Sequence, residues 1–435
     1  MRISRRTALA GLGGLALQGA SGQPNIVLII SDDHGWTDYG FMGNKDVYTP
    51  HIDRLAKEGL TFTRGYVPAS LCRPSLASIM TGLYPHQHRI TGNDPTGNAK
   101  DPANRRRMVQ VFQESHTIAG LLGKQGYGSH QSGKWWEGEC QCGGFTECMT
   151  HGDVAKGGRH GDEGLKIGRQ TMEPVFDFVD RQKGKPFFLW YAPFLPHTPH
   201  NPPARLMTRY VGRNLSEEMA KYYAMIEWLD ETVGQLTQHL EKRGLAENTM
   251  IVYLADNGWV QKGKKLPFDS RSKLSPYDAG VRTPILVWAP KRVKAYRDEK
   301  NLVSSVDIAT TVLPACGVKP TAGMPGLDMT NAAARAKRRS IFGSIFVHTS
   351  ADIERPAANL KYRWMIREQY KLIVPYAANR GLELWEGQGN APWMKEETEL
   401  FDVGADPFEQ KDLAAAKPEV VKSLMGELDR WWKPA

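Results

Sequence analysis

The sequence predicts an α/β protein with a mostly parallel central sheet flanked by helices and a smaller C-terminal α+β subdomain. Three observations carry this. Nearly continuous apolar runs at 26–30, 185–194 and 248–258 have the texture of strands buried on both faces. Segments with helical spacing separate them. Each run ends in polar residues, at the carboxyl ends of strands where open α/β sheets gather their sites.

Taken in order, the chain starts with Arg2, Arg5 and Arg6, then the apolar, small-residue stretch ALAGLGGLALQGA. Residues 1–22 therefore read as an export signal of twin-arginine type, which places the mature protein in the periplasm or outside the cell. That stretch is shorter than the roughly 20 residues of a membrane span, and no later window reaches that length. The run at 26–30 follows, ending in Asp32 and Asp33. TPHIDRLAKEG reads as a helix with Thr49 as cap, Pro50 in the first turn, Ile52 and Leu55 on the buried face and Gly59 as stop. Residues 216–242 repeat apolar side chains at Met219, Tyr222, Tyr223, Ile226, Leu229, Val233, Leu236 and Leu240, the pattern of a long helix. The strand at 248–258 ends in Asp256 and Asn257. From about Arg335 the texture changes, and strand-like YRWMIREQYKLIVPY precedes a final helix at 418–432. The expected division is a catalytic domain over 23–335 and a subdomain over 336–435.

Composition narrows the function. The 435 residues, 41% hydrophobic and 24% charged, suit a loop-rich globular protein with two to four domains' worth of core. Lys plus Arg exceeds Asp plus Glu by 56 to 47, and the excess is spread out, with RRR at 105–107 as the one dense run. A nucleic-acid footprint is not expected; an anionic substrate suits the charge better.

Asp32, Asp33, Asp256 and Asn257 offer four oxygen-bearing side chains from two strand ends. Hard oxygen donors select Ca²⁺, or Mg²⁺ in its place, over zinc. LCRPSLASIMTGLYPHQH puts Cys72 at the start of a helix, where unpaired N–H groups and the helix dipole favour an anion.

At these residues the chain resembles the type I sulfatases of the alkaline phosphatase superfamily. Cys72, Pro74, Thr81 and Gly82 match the CxPxR segment in which the cysteine is oxidised to formylglycine by a maturation enzyme. Leu76 stands where that family has arginine, and with Ile79, Met80 and Leu83 it makes an apolar stripe. Arg73 is a substitute charge from another direction. GKWWEG is similar to GKWHxG and implies Lys134 as a sulfate ligand. Trp136 stands at the family's histidine, with His130 as a weak substitute if 130 and 134 share a strand face. APFLPHTPH implies His197 as sulfate ligand and proton donor, and SKLSPYDAGVRTP implies Lys273 as the second sulfate lysine, with Arg282 holding the loop. The resemblance implies an alkaline-phosphatase-like fold, a metal held by Asp32, Asp33, Asp256, Asn257 and the modified Cys72, and Asp256 as activator of the nucleophile.

The implied reaction is hydrolysis of a sulfuric ester on a small molecule or glycan. Two other readings stay open: a phosphatase, phosphodiesterase or phosphonate hydrolase of the same superfamily, and a catalytically impaired binder of sulfated glycans, motivated by Leu76 and Trp136. Glu137, Arg159 and His160 are expected to line the substrate side of the pocket. Cys140, Cys142 and Cys148 with His151 either hold a soft metal or contain one disulfide and a leftover thiol.

Overall fold

In the computed structural model, the described residues are 22–95, 102–153, 156–263, 268–385, 387 and 391–434. The export signal expected at 1–22 therefore lies outside them, save Gly22. Eight strands form the central sheet, in the order Tyr296–Asp298, Leu60–Phe62, Ile285–Trp288, Thr249–Ala255, Asn25–Ser31, Phe187–Ala192, Gly128–Gly133 and Glu147–Cys148. Ile285–Trp288 runs antiparallel to both neighbours, and the remaining pairs are parallel.

The three strands expected from their apolar runs lie side by side at the centre, with Ile26 opposite Phe188 and Met250. Their runs are continuous because both faces are covered. Ile26, Leu28 and Ile30 share a core with Leu76, Ile79 and Met80 of helix Cys72–Thr81. Val27 and Ile29 share another with Met225, Leu229, Val233 and Leu236 of helix Glu217–Lys242. Ser216 caps that long helix, its hydroxyl accepting the Met219 N–H at 3.1 Å.

One expected cap is replaced. Thr49 does precede helix Pro50–Glu58, but its hydroxyl bonds Gly40 and Asp53 instead of the helix's own free N–H groups. Those are met by Asp230 of the long helix, which accepts from Ile52 at 2.7 Å and His51 at 3.1 Å. A carboxylate from a packed neighbour satisfies two orphan donors where a hydroxyl satisfies one.

The C-terminal region is a four-stranded antiparallel sheet, Ser340–Phe346, Leu360–Arg367, Tyr370–Pro375 and Glu399–Asp402, with helix Pro418–Trp431 on one face. Leu424 and Leu428 pack on Met365, Leu372 and Leu400 there. The other face, with Ile341, Trp364, Ile373 and Phe401, joins the main core. Cys140 and Cys148 form a disulfide and Cys142 is the leftover thiol, so the soft-metal alternative is not the arrangement adopted.

Candidate active site

The acidic tips meet because their strands are neighbours: Ser31 lies opposite Ala255, so Asp32 and Asp33 emerge beside Asp256 and Asn257. One oxygen from each of Asp32, Asp33 and Asp256 falls within 4.8 Å of the others. Asp33 holds φ 58°, a backbone conformation uncommon for a residue with a side chain, and its N–H donates to Asp256 at 3.1 Å. Asn257 Nδ2 donates to Asp33 at 2.7 Å. Asp256 Oδ2 and Asn257 Oδ1 are buried and have no hydrogen-bond partner among the described residues. Buried acceptors without donors are costly, and a hard divalent cation satisfies such an oxygen set. The residues present therefore fit Ca²⁺ or Mg²⁺.

Cys72 is the first residue of the fully buried helix Cys72–Thr81, and its Sγ lies within 4.8 Å of an Asp32 oxygen and a His197 ring nitrogen. Lys134 follows the turn at Gly133, whose φ of 84° and whose approach to Ala192 O, 1.9 Å from where a Cβ would sit, require glycine. Lys134 Nζ donates to both Asp32 oxygens at 2.7 Å and stands 3.6 Å from Asp256. Lys273 Nζ donates to Asp33 at 2.7 and 2.8 Å. His197 Nδ1 bonds the Thr198 carbonyl at 2.6 Å, which leaves Nε2 facing Asp33 at 3.4 Å.

The electrostatics follow from burial and these pairs. Burial pushes the Cys72 thiol up to about 12, against the pull of Lys134 and Lys273. Burial and the adjacent Asp32 raise Asp256 to about 8. For Asp33, burial is outweighed by Lys273, His197 and Lys134, which hold it well below the usual carboxylate range. Lys134 loses solvation but is carried well above its ordinary value by Asp32, Cys72 and Asp256. Three carboxylates face two ammonium groups, so a divalent cation turns the local charge positive and makes the site attractive to an anion.

The same cavity, of about 460 Å³, is lined by Cys72, Lys134, His197 and Lys273 together with Trp136, Arg159 and His160. His160 packs 5.2 Å from the Trp136 ring, and burial together with Lys134 and Arg159 lowers its imidazole to about 3.

Three expectations are corrected. Glu137 does not line the cavity; it is buried in a bidentate pair with Arg73 at 2.8 and 2.6 Å. Arg73 is thereby committed to Glu137 and does not replace the charge missing at Leu76. His130 faces the opposite side of the sheet, stacked on Phe178 and bonded to Glu147 at 2.9 Å, because the turn at Gly133 breaks the alternation before Lys134. Leu76 lies in the main core, as its stripe indicates, and Arg282 holds its loop by donating to Thr63 O at 3.1 and 3.0 Å.

Sequence reasoning missed Asn93, Asp94, His348, Thr349 and Trp385, which complete the cavity lining. The last three come from the C-terminal region. Two-residue strands pairing Thr349 with Asp94 hold one part of that wall.

Fold and site together define a hydrolase of the alkaline phosphatase superfamily, with acidic strand tips and cationic side chains around the buried Cys72. The chain belongs to the sulfatase family, and is a sulfuric ester hydrolase. The family model described as Sulfatase matches residues 24–318, and one described as N-sulphoglucosamine sulphohydrolase, C-terminal, matches 266–433. The chain is similar to N-acetylgalactosamine-6-sulfatase of Canis lupus familiaris, with 29% identity over 73% of this chain and 67% of that one. An ulvan-active sulfatase of Formosa agariphila is 27% identical over 94% of this chain and 74% of its own. Among solved structures, Ps i-CgsB superposes with a TM-score of 0.75 at 25% identity, covering 95% of this chain and 94% of that one.

Proposed function

We propose that the chain is an exported sulfatase acting on sulfated carbohydrate, with Cys72 oxidised to formylglycine by a maturation enzyme and with Ca²⁺, or Mg²⁺ in its place, held by Asp32, Asp33, Asp256, Asn257 and residue 72. The observation that carries this is the convergence of Lys134, Lys273 and His197 on the acidic cluster beside Cys72. The substrate class draws on the names of the two relatives, one an N-acetylgalactosamine sulfatase and the other active on ulvan. The export step rests on residues 1–22, and a catalytic domain over 23–335 with a subdomain over 336–435 remains our division of the chain.

A bound cation would neutralise charge on the transferring group as a Lewis acid. Formylglycine at position 72 would supply a hydrated-aldehyde oxygen nucleophile at the helix start. The remaining work falls to the chain's own side chains. Lys134 and Lys273, held by Asp32 and Asp33 and both buried, place fixed positive charge around the sulfate oxygens, where low local dielectric makes such charge stabilise most. Asp256, kept as a carboxylate by the cation it would help to hold, accepts the proton of the attacking hydroxyl. His197 bonds Thr198 O through Nδ1, which turns Nε2 toward the site; burial lowers its imidazole against the pull of Asp32 and Asp33, and it is the imidazolium form whose Nε2–H protonates the departing alcohol.

Turnover of nitrophenyl sulfate and nitrophenyl phosphate by the holoenzyme from a host that carries out the maturation tests this. Hydrolysis of the sulfate in large preference supports the reading; preference for the phosphate moves it to the phosphorus branch of the superfamily.

A further inference from the structure

The floor of the cavity accounts for a sulfate group, but its mouth has a different chemistry. The Trp385 indole lies parallel to the His348 imidazole, with centroids 4.6 Å apart and planes within 2°. His348 is fixed in turn by Asn93 Nδ2 at 3.4 Å, and burial lowers its imidazole to about 4, leaving it neutral. Next to this pair, beyond Asn93 and Asp94, the Arg159 guanidinium sits 4.9 Å over the Trp136 ring. Arg159 also joins Asp94, 4% exposed, at 3.0 Å, and Arg105 holds the same carboxylate at 3.2 Å.

Each feature is pre-ordered by neighbours, which lowers the entropy a ligand loses on binding. An ionised carboxylate has about four lone-pair positions, so Asp94 retains acceptor capacity beside its arginines. Flat aromatic faces together with a few fixed donors and acceptors match a ring that is apolar on its faces and hydroxylated at its rim.

We propose that Trp385, His348, Arg159 and Asp94 form a subsite for the pyranose ring of a sulfated saccharide, with the ring's C–H face on the Trp385 indole and its hydroxyls on Arg159 and Asp94. The proposal rests on the reading of the floor as the sulfate site. It assigns recognition of the sugar in large part to the C-terminal region, which supplies Trp385 and His348, and sulfate chemistry to the central sheet.

The test compares kcat/KM for monosulfated galactose and N-acetylglucosamine with kcat/KM for nitrophenyl sulfate, in the wild type, Trp385→Ala and Arg159→Gln. The subsite predicts that the sugar-to-aryl ratio falls about tenfold or more in both variants, chiefly through KM. A ratio unchanged in both overturns it, whether or not the absolute rates fall. A wild type that hydrolyses none of these esters counts against the sulfatase reading instead. The subsite is then decided by tryptophan fluorescence titrated with monosulfated galactose. Saturable quenching lost in Trp385→Ala upholds it; no quenching in the wild type, or the same quenching in the variant, overturns it.

Discussion

Lys371, on the C-terminal sheet, and Asp278, five residues beyond Lys273, form an ion pair at 2.8 Å with both side chains at 0% exposure. Lys371 also meets Glu409 at 2.9 Å, and Glu409 accepts the Asp278 N–H at 2.6 Å while its backbone carbonyl accepts from Arg271. Tyr277 reaches Glu399 at 2.7 Å. The loop that presents Lys273 to Asp33 is thus tied at both ends to the C-terminal region, through Glu409 at Arg271 and through Lys371 and Glu399 at Asp278 and Tyr277. Lys371→Met leaves Glu409 buried without its cation and Asp278 with Arg282 alone as cation among the described residues, at 3.5 Å, so unfolding free energy in urea should drop by about 3–5 kcal/mol. Sulfate-ester kcat/KM should fall with it, as Lys273 loses its anchorage. Unchanged stability would remove the network's structural role.

Glu137→Gln should behave as a stability variant. Its carboxylate neutralises the buried Arg73 guanidinium, so the cost is again about 3–5 kcal/mol, measured by denaturant unfolding. KM for a sulfated sugar should stay within about twofold of the wild type, since Glu137 faces Arg73 and not the cavity.

Metal should report on the acidic tips directly. Adding Ca²⁺ at about a hundred times its Kd to chelated protein should raise unfolding free energy by about 2.7 kcal/mol. Asp33→Asn or Asp256→Asn should abolish the rise in a thermal-melt titration, because each removes a charged oxygen donor from the cluster. A rise that persists in both variants would place the cation elsewhere.

Acid should unfold the protein in part through His88. Its Nδ1 accepts the Ile90 N–H at 3.1 Å, so its proton lies on Nε2 and is donated to Ser78 at 2.9 Å. Burial, with His86 adding to it, depresses the imidazole from 6.5 to about 3. The unfolded chain therefore binds the proton first. The neutral side chain's contribution is complete above pH 6.5 and is lost as pH falls toward 3, at about 1.4 kcal/mol per pH unit over that window. His88→Gln, which keeps a donor and an acceptor but cannot charge, should flatten the stability profile between those limits.

The central strands and the acidic tips were legible because both depend on local pattern: a strand buried on two faces must be continuously apolar, and its end must carry the site. Lys134, His197 and Lys273 have no such pattern and came from resemblance. Gly133 shows the limit of periodicity, since one left-handed residue separated His130 from Lys134. Thr49 shows another: the cap came from Asp230, far along the chain. Asp94, His348 and Trp385 gave no local signal, as they become a wall only when the C-terminal region docks. Lys371, Asp278 and Glu409 look like surface charges in sequence and are buried because they satisfy one another across that junction.

Peptide mass spectrometry of the segment containing residue 72, from protein made in a host that carries out the maturation, tests the account most directly. The account predicts the aldehyde mass at that position despite Leu76. Finding only the intact cysteine thiol would contradict it and leave a binder of sulfated glycans in place of an enzyme.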